Sequence, residues 1–152
     1  MGIRMFVGGG SEGIDTALFT PHAPMRLRAA ARDGKIMYML RQGNVLYALQ
    51  MGDEESALAA YRCQTDGRLE RMGEPFPTGG SESCHLTVSP CGGFLYCANY
   101  RSGSISEFRI DRADGGIQAR TQVIAHHGRS VNAPVSYTHL HAGFPRIICC
   151  AG

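Results

Sequence analysis

The side chains best suited to chemistry in this sequence are one histidine and an Asn-Tyr-Arg cluster that follows it. His85 could act as a general base, because an unperturbed imidazole has a pKa of about 6.5. Arg101 supplies a cation that could bind a phosphate group or a developing oxyanion. Asn99 and Tyr100 precede it directly and could contact the same ligand. The structural alternatives are a histidine hydrogen-bonded to a neighbouring sheet and a cluster that caps a turn and packs.

Four predicted strands surround these side chains. The segments CHLTVSP and GSISEFRID alternate polar and apolar residues, while GGFLYCANY between them is a nearly continuous apolar run. Alternation is typical of a half-buried strand, and the apolar run of a strand buried on both faces. An Asp-Gly-Gly turn then leads into IQARTQVI. The histidine is therefore expected at the start of one strand and the Asn-Tyr-Arg cluster at the end of the next.

The same reasoning predicts strands along the rest of the chain. SALAAYRC is rich in alanine and could form a helix, but it is short and closed by an Asp-Gly turn, which favours a strand. GIDTALF and RLER are further candidates for strands. We expect strands near Arg4–Gly8, Lys35–Leu40, Val45–Gln50, Ala57–Cys63, His85–Ser89, Phe94–Asn99, Ser104–Ile110 and Gln118–Ile124.

Parts of the sequence repeat. AYR before one Asp-Gly turn resembles EFR before another, at an offset of about 47 residues. Upstream, GKIMY also resembles GGFLY, at an offset of about 58 residues. A repeat of four strands with a period of about 40–50 residues is typical of a β-propeller. We therefore predict an all-β fold, a β-propeller fragment of about two to three four-stranded antiparallel blades.

Composition excludes several classes of protein. Of the 152 residues 43% are hydrophobic and 18% charged, which indicates a globular chain rather than a disordered one. The net charge of +2 is too small, and the cations too scattered, to predict nucleic-acid binding. Neither a membrane span nor an export leader is predicted, so we expect a cytoplasmic protein with free cysteines and no cofactor.

The stretch GGSESCHLTVSPCGGFLYCANYRSGSISEFRIDRADGGI resembles the bacterial lactonases of the seven-bladed β-propeller type, the 6-phosphogluconolactonase family. One departure is Cys91, which stands where the family usually has an aspartate, so that turn loses a side-chain acceptor. The resemblance runs from Met1 to about Ala133. It implies hydrolysis of a sugar-phosphate lactone in the pentose phosphate pathway, with the lactone as a small-molecule partner. Related propellers include a lactonizing enzyme with another substrate, so the fold alone does not fix the lactone.

The resemblance gives the candidate residues specific roles. Lactone hydrolysis needs a base for water and a donor or cation for the oxyanion. We expect His85 and Arg101 to be catalytic and Asn99 and Tyr100 to bind substrate.

The family pattern stops after Ala133. PVSYTHL matches a translation of the transposase mosaic-end adapter used in sequencing libraries. We therefore expect residues 1–133 to be a partial lactonase domain and residues 134–152 a non-native tail. A metal site in the tail is a weaker alternative, because its histidines and adjacent cysteines lack zinc-ligand spacing. Those four residues are His139, His141, Cys149 and Cys150.

Two classes of function remain from the sequence. One is a lactonase fragment that lacks more than half of its blades and is inactive alone. The other is a non-enzymatic β-propeller-like interaction module, although the absence of tryptophan argues against propellers with Trp-Asp signatures. Open sheet edges in either case favour self-association.

Overall fold

The computed structural model describes residues 2–8 and 12–126, and that part of the chain contains twelve β-strands and no helix. Short strands form because alternating or apolar segments are separated by turn residues with glycine at positive φ. The strands are β1 Ile3–Val7, β2 Ile14–Phe19, β3 Arg28–Ala31, β4 Ile36–Gln42, β5 Val45–Gln50, β6 Ala57–Cys63, β7 Leu69–Arg71, β8 Phe76–Pro77, β9 Ser83–Val88, β10 Phe94–Asn99, β11 Ser104–Ile110 and β12 Ile117–Ala125.

These strands form three antiparallel sheets. The first sheet has the order β1-β2-β3, the second β4-β5-β6-β7 with β8 also paired to β6, and the third β9-β10-β11-β12. The sheets are stacked in chain order: β4 lies beside β9, β8 beside β12, and β3 beside β7. The first strands of the second and third sheets are therefore neighbours, and so are their last strands. This arrangement is the stacked-blade architecture of a β-propeller fragment.

The expected all-β fold is confirmed, and four of the predicted strands have the expected bounds. These are β5, β6, β10 and β11, so the alanine-rich SALAAYRC segment forms a strand. The expectation of about two to three antiparallel blades is also confirmed, although only the third sheet has four strands; among the described residues the first sheet has three and the second has five. The predicted repeat at an offset of about 58 residues is wrong. Tyr38 lies on the first strand of the second sheet, whereas Tyr96 lies on the second strand of the third sheet. The predicted repeat at an offset of about 47 residues is correct, because Tyr61 and Phe108 each lie on the third strand of their sheet.

Two apolar cores join the three sheets. One core lies between the second and third sheets and includes Leu49, Leu58, Leu95 and Phe108, all fully buried. The other lies between the first and second sheets and includes Ile14, Leu46 and Tyr61. Each such side chain contributes about 1.5–3 kcal/mol when it is fully buried. The second sheet is therefore covered on both faces, which explains why every residue of β5 is buried.

The turn between β11 and β12 fixes the third sheet against the second. Gly115 has a φ of 78°, and a Cβ there would lie 2.7 Å from Val45 Cγ2. Its carbonyl accepts a hydrogen bond from the Tyr47 hydroxyl at 2.7 Å. Glycine is required at this position by both its backbone conformation and the close approach. Over the described residues, no helix is long and apolar enough to cross a membrane.

Candidate functional site

The antiparallel pair β9–β10 brings the predicted site residues to one end of the third sheet. His85 lies opposite Ala98, and Asn99 lies opposite Ser83, with a register shift between these two pairs. The Asn-Tyr-Arg cluster therefore begins next to the start of the strand that carries the histidine. The sequence predicted this juxtaposition, because it placed the two features at the start and the end of consecutive strands.

His85 lies at the junction between two sheets. Its ring is half-buried and packs against the ring of Tyr38, with the centroids 4.8 Å apart and the planes tilted by 45°. Tyr38 belongs to β4, the first strand of the second sheet. The packing limits the orientations available to the imidazole, which a general base requires. It also agrees with the structural alternative, a histidine held by a neighbouring sheet.

Arg101 forms an ion pair with a carboxylate that the sequence reasoning did not single out. Its Nη1 lies 3.6 Å from Glu82 Oε1, and the two side chains are 74% and 47% exposed. Exposed pairs of this kind contribute at most about 1 kcal/mol, so the guanidinium could exchange this partner for a ligand. The backbone reinforces the pair, since Tyr100 N donates to Glu82 O at 3.0 Å.

Glu82 has an unusual backbone conformation. Its φ is 52°, in the left-handed region that residues with a side chain rarely adopt. Such a conformation persists only where the surrounding structure holds it, and it is often found at functional sites. The only sequence signal for this residue was the Gly-Gly pair that ends two residues before it.

Asn99 is fully buried, unlike Arg101. Its Oδ1 accepts from Ser83 Oγ at 2.6 Å, and its Nδ2 donates to Ser104 Oγ at 3.0 Å and to Ser106 Oγ at 2.8 Å. These bonds use the donors and the acceptor of the amide within the protein. A direct contact between Asn99 and a substrate stays a prediction, and it would require this network to open. Tyr100, the other residue predicted to bind substrate, is half-buried at the following turn.

The two best-formed clefts among the described residues lie away from the predicted site residues. Two open clefts of about 440 and 280 Å³ lie at other places on the third sheet and its neighbour, and both are lined by Ile110, Asp111 and Arg112. Neither cleft is lined by His85 or Arg101. A complete active site usually needs a concave surface that excludes water. The two clefts therefore supply no such surface around His85 and Arg101.

Three predictions fall on residues whose structure is not described. The boundary at Ala133, the non-native tail 134–152 and the rival metal ligands all lie outside the described residues. Within residues 2–8 and 12–126, no group of three or more potential ligands could hold a metal ion.

Comparisons with known proteins support the expected family. The model of a family described as Lactonase, 7-bladed β-propeller matches residues 5–144. The chain is 30% identical to the 6-phosphogluconolactonase of Bacillus subtilis, over 93% of this chain and 42% of that protein. A crystal structure of a candidate 6-phosphogluconolactonase from Bacteroides fragilis superposes with a TM-score of 0.74 at 26% identity, over 84% of this chain and 37% of that one.

A more distant structure agrees on the fold alone. The periplasmic gluconolactonase of Pseudomonas aeruginosa is 22% identical, with a TM-score of 0.62 over 75% of this chain and 34% of that one. The chain thus spans about two fifths of the length of the relatives it resembles. With a family match over most of its residues and three stacked antiparallel sheets, the chain belongs to the seven-bladed β-propeller lactonase family.

Proposed function

We propose that this chain acts as part of a longer lactonase that hydrolyses 6-phosphoglucono-1,5-lactone to 6-phosphogluconate. The single observation that carries the proposal is that Arg101 lies in the turn directly after the strand paired with the strand of His85, where the first strands of two blades meet. The family membership supports lactone hydrolysis, and the Bacillus subtilis relative supports the phosphorylated substrate.

The proposed reaction requires only water and the lactone. The His85 imidazole accepts a proton from water as the oxygen attacks the lactone carbonyl carbon. The resulting oxyanion then collapses, the ring C–O bond breaks, and the leaving alkoxide receives the proton from the imidazolium. The products are a carboxylic acid, which ionises, and a free hydroxyl group. No oxidant, reductant or metal is needed for the atoms and charges to balance.

Arg101 is proposed to stabilise negative charge during this reaction. Its exposed guanidinium presents donors in a planar fork that suits a phosphate or an oxyanion. Binding such an anion would displace the Glu82 carboxylate from its weak ion pair. Before the substrate binds, the Glu82 carboxylate would therefore occupy the anion position beside the Arg101 guanidinium.

The test is steady-state kinetics on the full-length protein that contains this chain. His85→Ala should lower turnover at least tenfold, because general-base assistance is typically worth about 10²–10⁴. His126→Ala is the matched control, since this exposed histidine at the end of β12 has no proposed role and should leave turnover unchanged. Unchanged turnover in a folded His85→Ala variant would make His85 a structural residue.

Two substrates distinguish the possible roles of Arg101. If it binds the phosphate, Arg101→Ala should raise KM for the phosphorylated lactone and leave KM for glucono-1,5-lactone unchanged. If it stabilises the oxyanion, kcat should fall for both lactones. If the wild-type protein hydrolyses the lactone no faster than the spontaneous rate in buffer, the proposed function itself is disproved.

A further inference from the structure

We propose that Asn99 is a positioning residue, whose buried amide holds the Glu82–Arg101 pair and the start of the His85 strand in place. The catalytic consequence rests on the proposed function, whereas the positioning itself does not. This role differs from the substrate contact that the sequence predicts for Asn99.

The hydrogen bonds of Asn99 connect three parts of the chain. Its acceptor binds Ser83 at the beginning of β9, and its two donors bind Ser104 and Ser106 on β11. Ser83 Oγ also lies 3.1 Å from Thr78 Oγ1, and Ser106 Oγ donates to the carbonyl of Thr78. All five side chains are buried, so an unpaired group among them would lose hydration without compensation.

The loop between Thr78 and Ser83 closes directly over this amide. A Cβ at Gly80 would lie 2.7 Å from the Asn99 Cβ, so only glycine allows the backbone to approach so closely. Thr78 Oγ1 donates to Gly80 O at 2.9 Å, which fixes the same loop from its other end. Glu82 follows within this loop and has its left-handed φ there. The network therefore supplies the constraint that keeps Glu82 in its strained conformation.

The loop in turn holds the end of β10. Tyr100 N donates to Glu82 O at 3.0 Å, and Arg101 N donates to Ser81 O at 3.3 Å. These two bonds place the arginine beside the glutamate. A change at Asn99 would thus reach the ion pair through the loop, without Asn99 touching either charged group.

The second sheet offers an internal comparison. Gln50 is the last residue of β5, as Asn99 is the last residue of β10. Its Nε2 donates to Asp33 O at 2.9 Å and to the Tyr61 hydroxyl at 3.2 Å. In both sheets, a buried amide at the end of the second strand fastens the segment where the first strand begins. Both segments carry a carboxylate paired with an arginine, Asp33 with Arg71 at 3.8 Å and Glu82 with Arg101 at 3.6 Å, and the segment of the third sheet leads into the strand of His85.

The primary test is amide hydrogen exchange in the full-length protein. Asn99→Asp keeps the size of the side chain but removes both donors, and Gln50→Glu makes the matched change in the second sheet. After correction for global stability, we expect exchange at the Tyr100 and Arg101 amides to accelerate at least tenfold in Asn99→Asp and not in Gln50→Glu. Equal effects of the two variants would overturn the positioning role. If Asn99→Asp does not fold, Ser104→Ala provides a milder test because it removes one acceptor of the Asn99 amide. Hydrogen exchange at the same two amides should then accelerate by a smaller factor, and no acceleration would overturn the proposal.

Kinetics then test whether the positioning matters for catalysis. Asn99→Asp should lower kcat/KM about tenfold in the wild-type protein. In an Arg101→Gln background the same change should lower it by less than about threefold, because the effects of coupled residues are not additive. Losses that add fully would show that Asn99 does not act through Arg101. If the wild-type protein has no lactonase activity, the proposed function is disproved. The exchange experiment would still decide whether Asn99 has the positioning role.

Discussion

The second sheet and its two neighbours are built from similar strands but differ in how completely they are buried. All six residues of β5 are buried, whereas β12 has one half-buried residue and eight exposed ones. In the part of the chain that the structure describes, the second sheet has an apolar core on each face, and the first and third sheets have a core on one face each. A blade of this fold therefore depends on both neighbours for its stability.

The unpaired surfaces of the outer sheets are apolar. Ile3 and Phe19, which pair across β1 and β2, are 65% and 44% exposed, and Ile124 on β12 is 41% exposed. Within the described residues, β1 pairs only with β2 and has no strand on its other edge. Among the described residues, no strand of the first sheet therefore occupies the position that β4 and β9 have in the other two sheets. These features are expected of a segment taken from a longer stack of blades.

The largest expected effect is on the doubly covered sheet. Leu58→Ala should lower the free energy of unfolding by about 2–5 kcal/mol, because it leaves a cavity in the core between the second and third sheets. Ile3→Ala should change it by no more than about 0.5 kcal/mol, since this side chain is largely exposed. Urea unfolding of both variants measures the difference, and similar losses would contradict the comparison.

Alkaline pH should also separate the core from the surface. Burial raises the pKa of the Cys97 thiol from 9.0 to about 12, although the nearby Ser83 hydroxyl partly opposes this. Between pH 9 and 12 the Cys97 thiol therefore keeps its proton in the folded state and loses it in the unfolded state. The free energy of unfolding is unaffected by this group below pH 9 and decreases as the pH rises towards 12. Cys97→Ala should reduce this slope by up to about 1.4 kcal/mol per pH unit.

The control for this pH experiment is a thiol with the opposite shift. The pKa of Cys91 is lowered, first by the Ser89 hydroxyl, then by the Gly93 backbone N–H, with a smaller contribution from Arg112. Replacing Cys91 by alanine should not reduce the alkaline slope. If the two alanine variants gave the same profile from pH 8 to 11, burial of Cys97 would not be the cause.

A smaller effect concerns association of the chain as printed. We expect it to self-associate through the exposed apolar surface of the first sheet and the open edge of β1. Ile3→Lys and Phe19→Lys should shift sedimentation towards the monomer, whereas Thr65→Lys, on an exposed turn, should not. A wild-type chain that sediments as a monomer at high concentration would disprove this expectation.

The parts of the fold that the sequence could predict are those that depend on local pattern. Ala57–Cys63 was predictable despite its alanines, because an Asp-Gly turn closes it. Arg28–Ala31 and Phe76–Pro77 were missed, since the first is alanine-rich and only half-buried at its second half and the second is two residues long with a proline. The pairing of such short, partly exposed strands depends on the rest of the sheet rather than on their own sequence.

The candidate site was predictable only in part, for the same reason. His85 and Arg101 could be placed at one end of a sheet from strand order alone. The partnership of Arg101 with Glu82 depends on a positive φ, which a glutamate does not signal. The buried network of Asn99 depends on contacts with Thr78, Ser83 and β11, and no local pattern encodes these.

The most direct test of the account is the rate at which the printed chain and the full-length protein hydrolyse 6-phosphoglucono-1,5-lactone. We expect the chain alone to match the spontaneous rate in buffer, because its outer sheets leave open apolar faces and neither of the two clefts described above is lined by His85 or Arg101. The full-length protein should exceed that rate and lose at least tenfold on His85→Ala, as expected for a general base. A purified monomer of the printed chain that hydrolyses the lactone faster than buffer, and loses this activity on His85→Ala, would contradict the account.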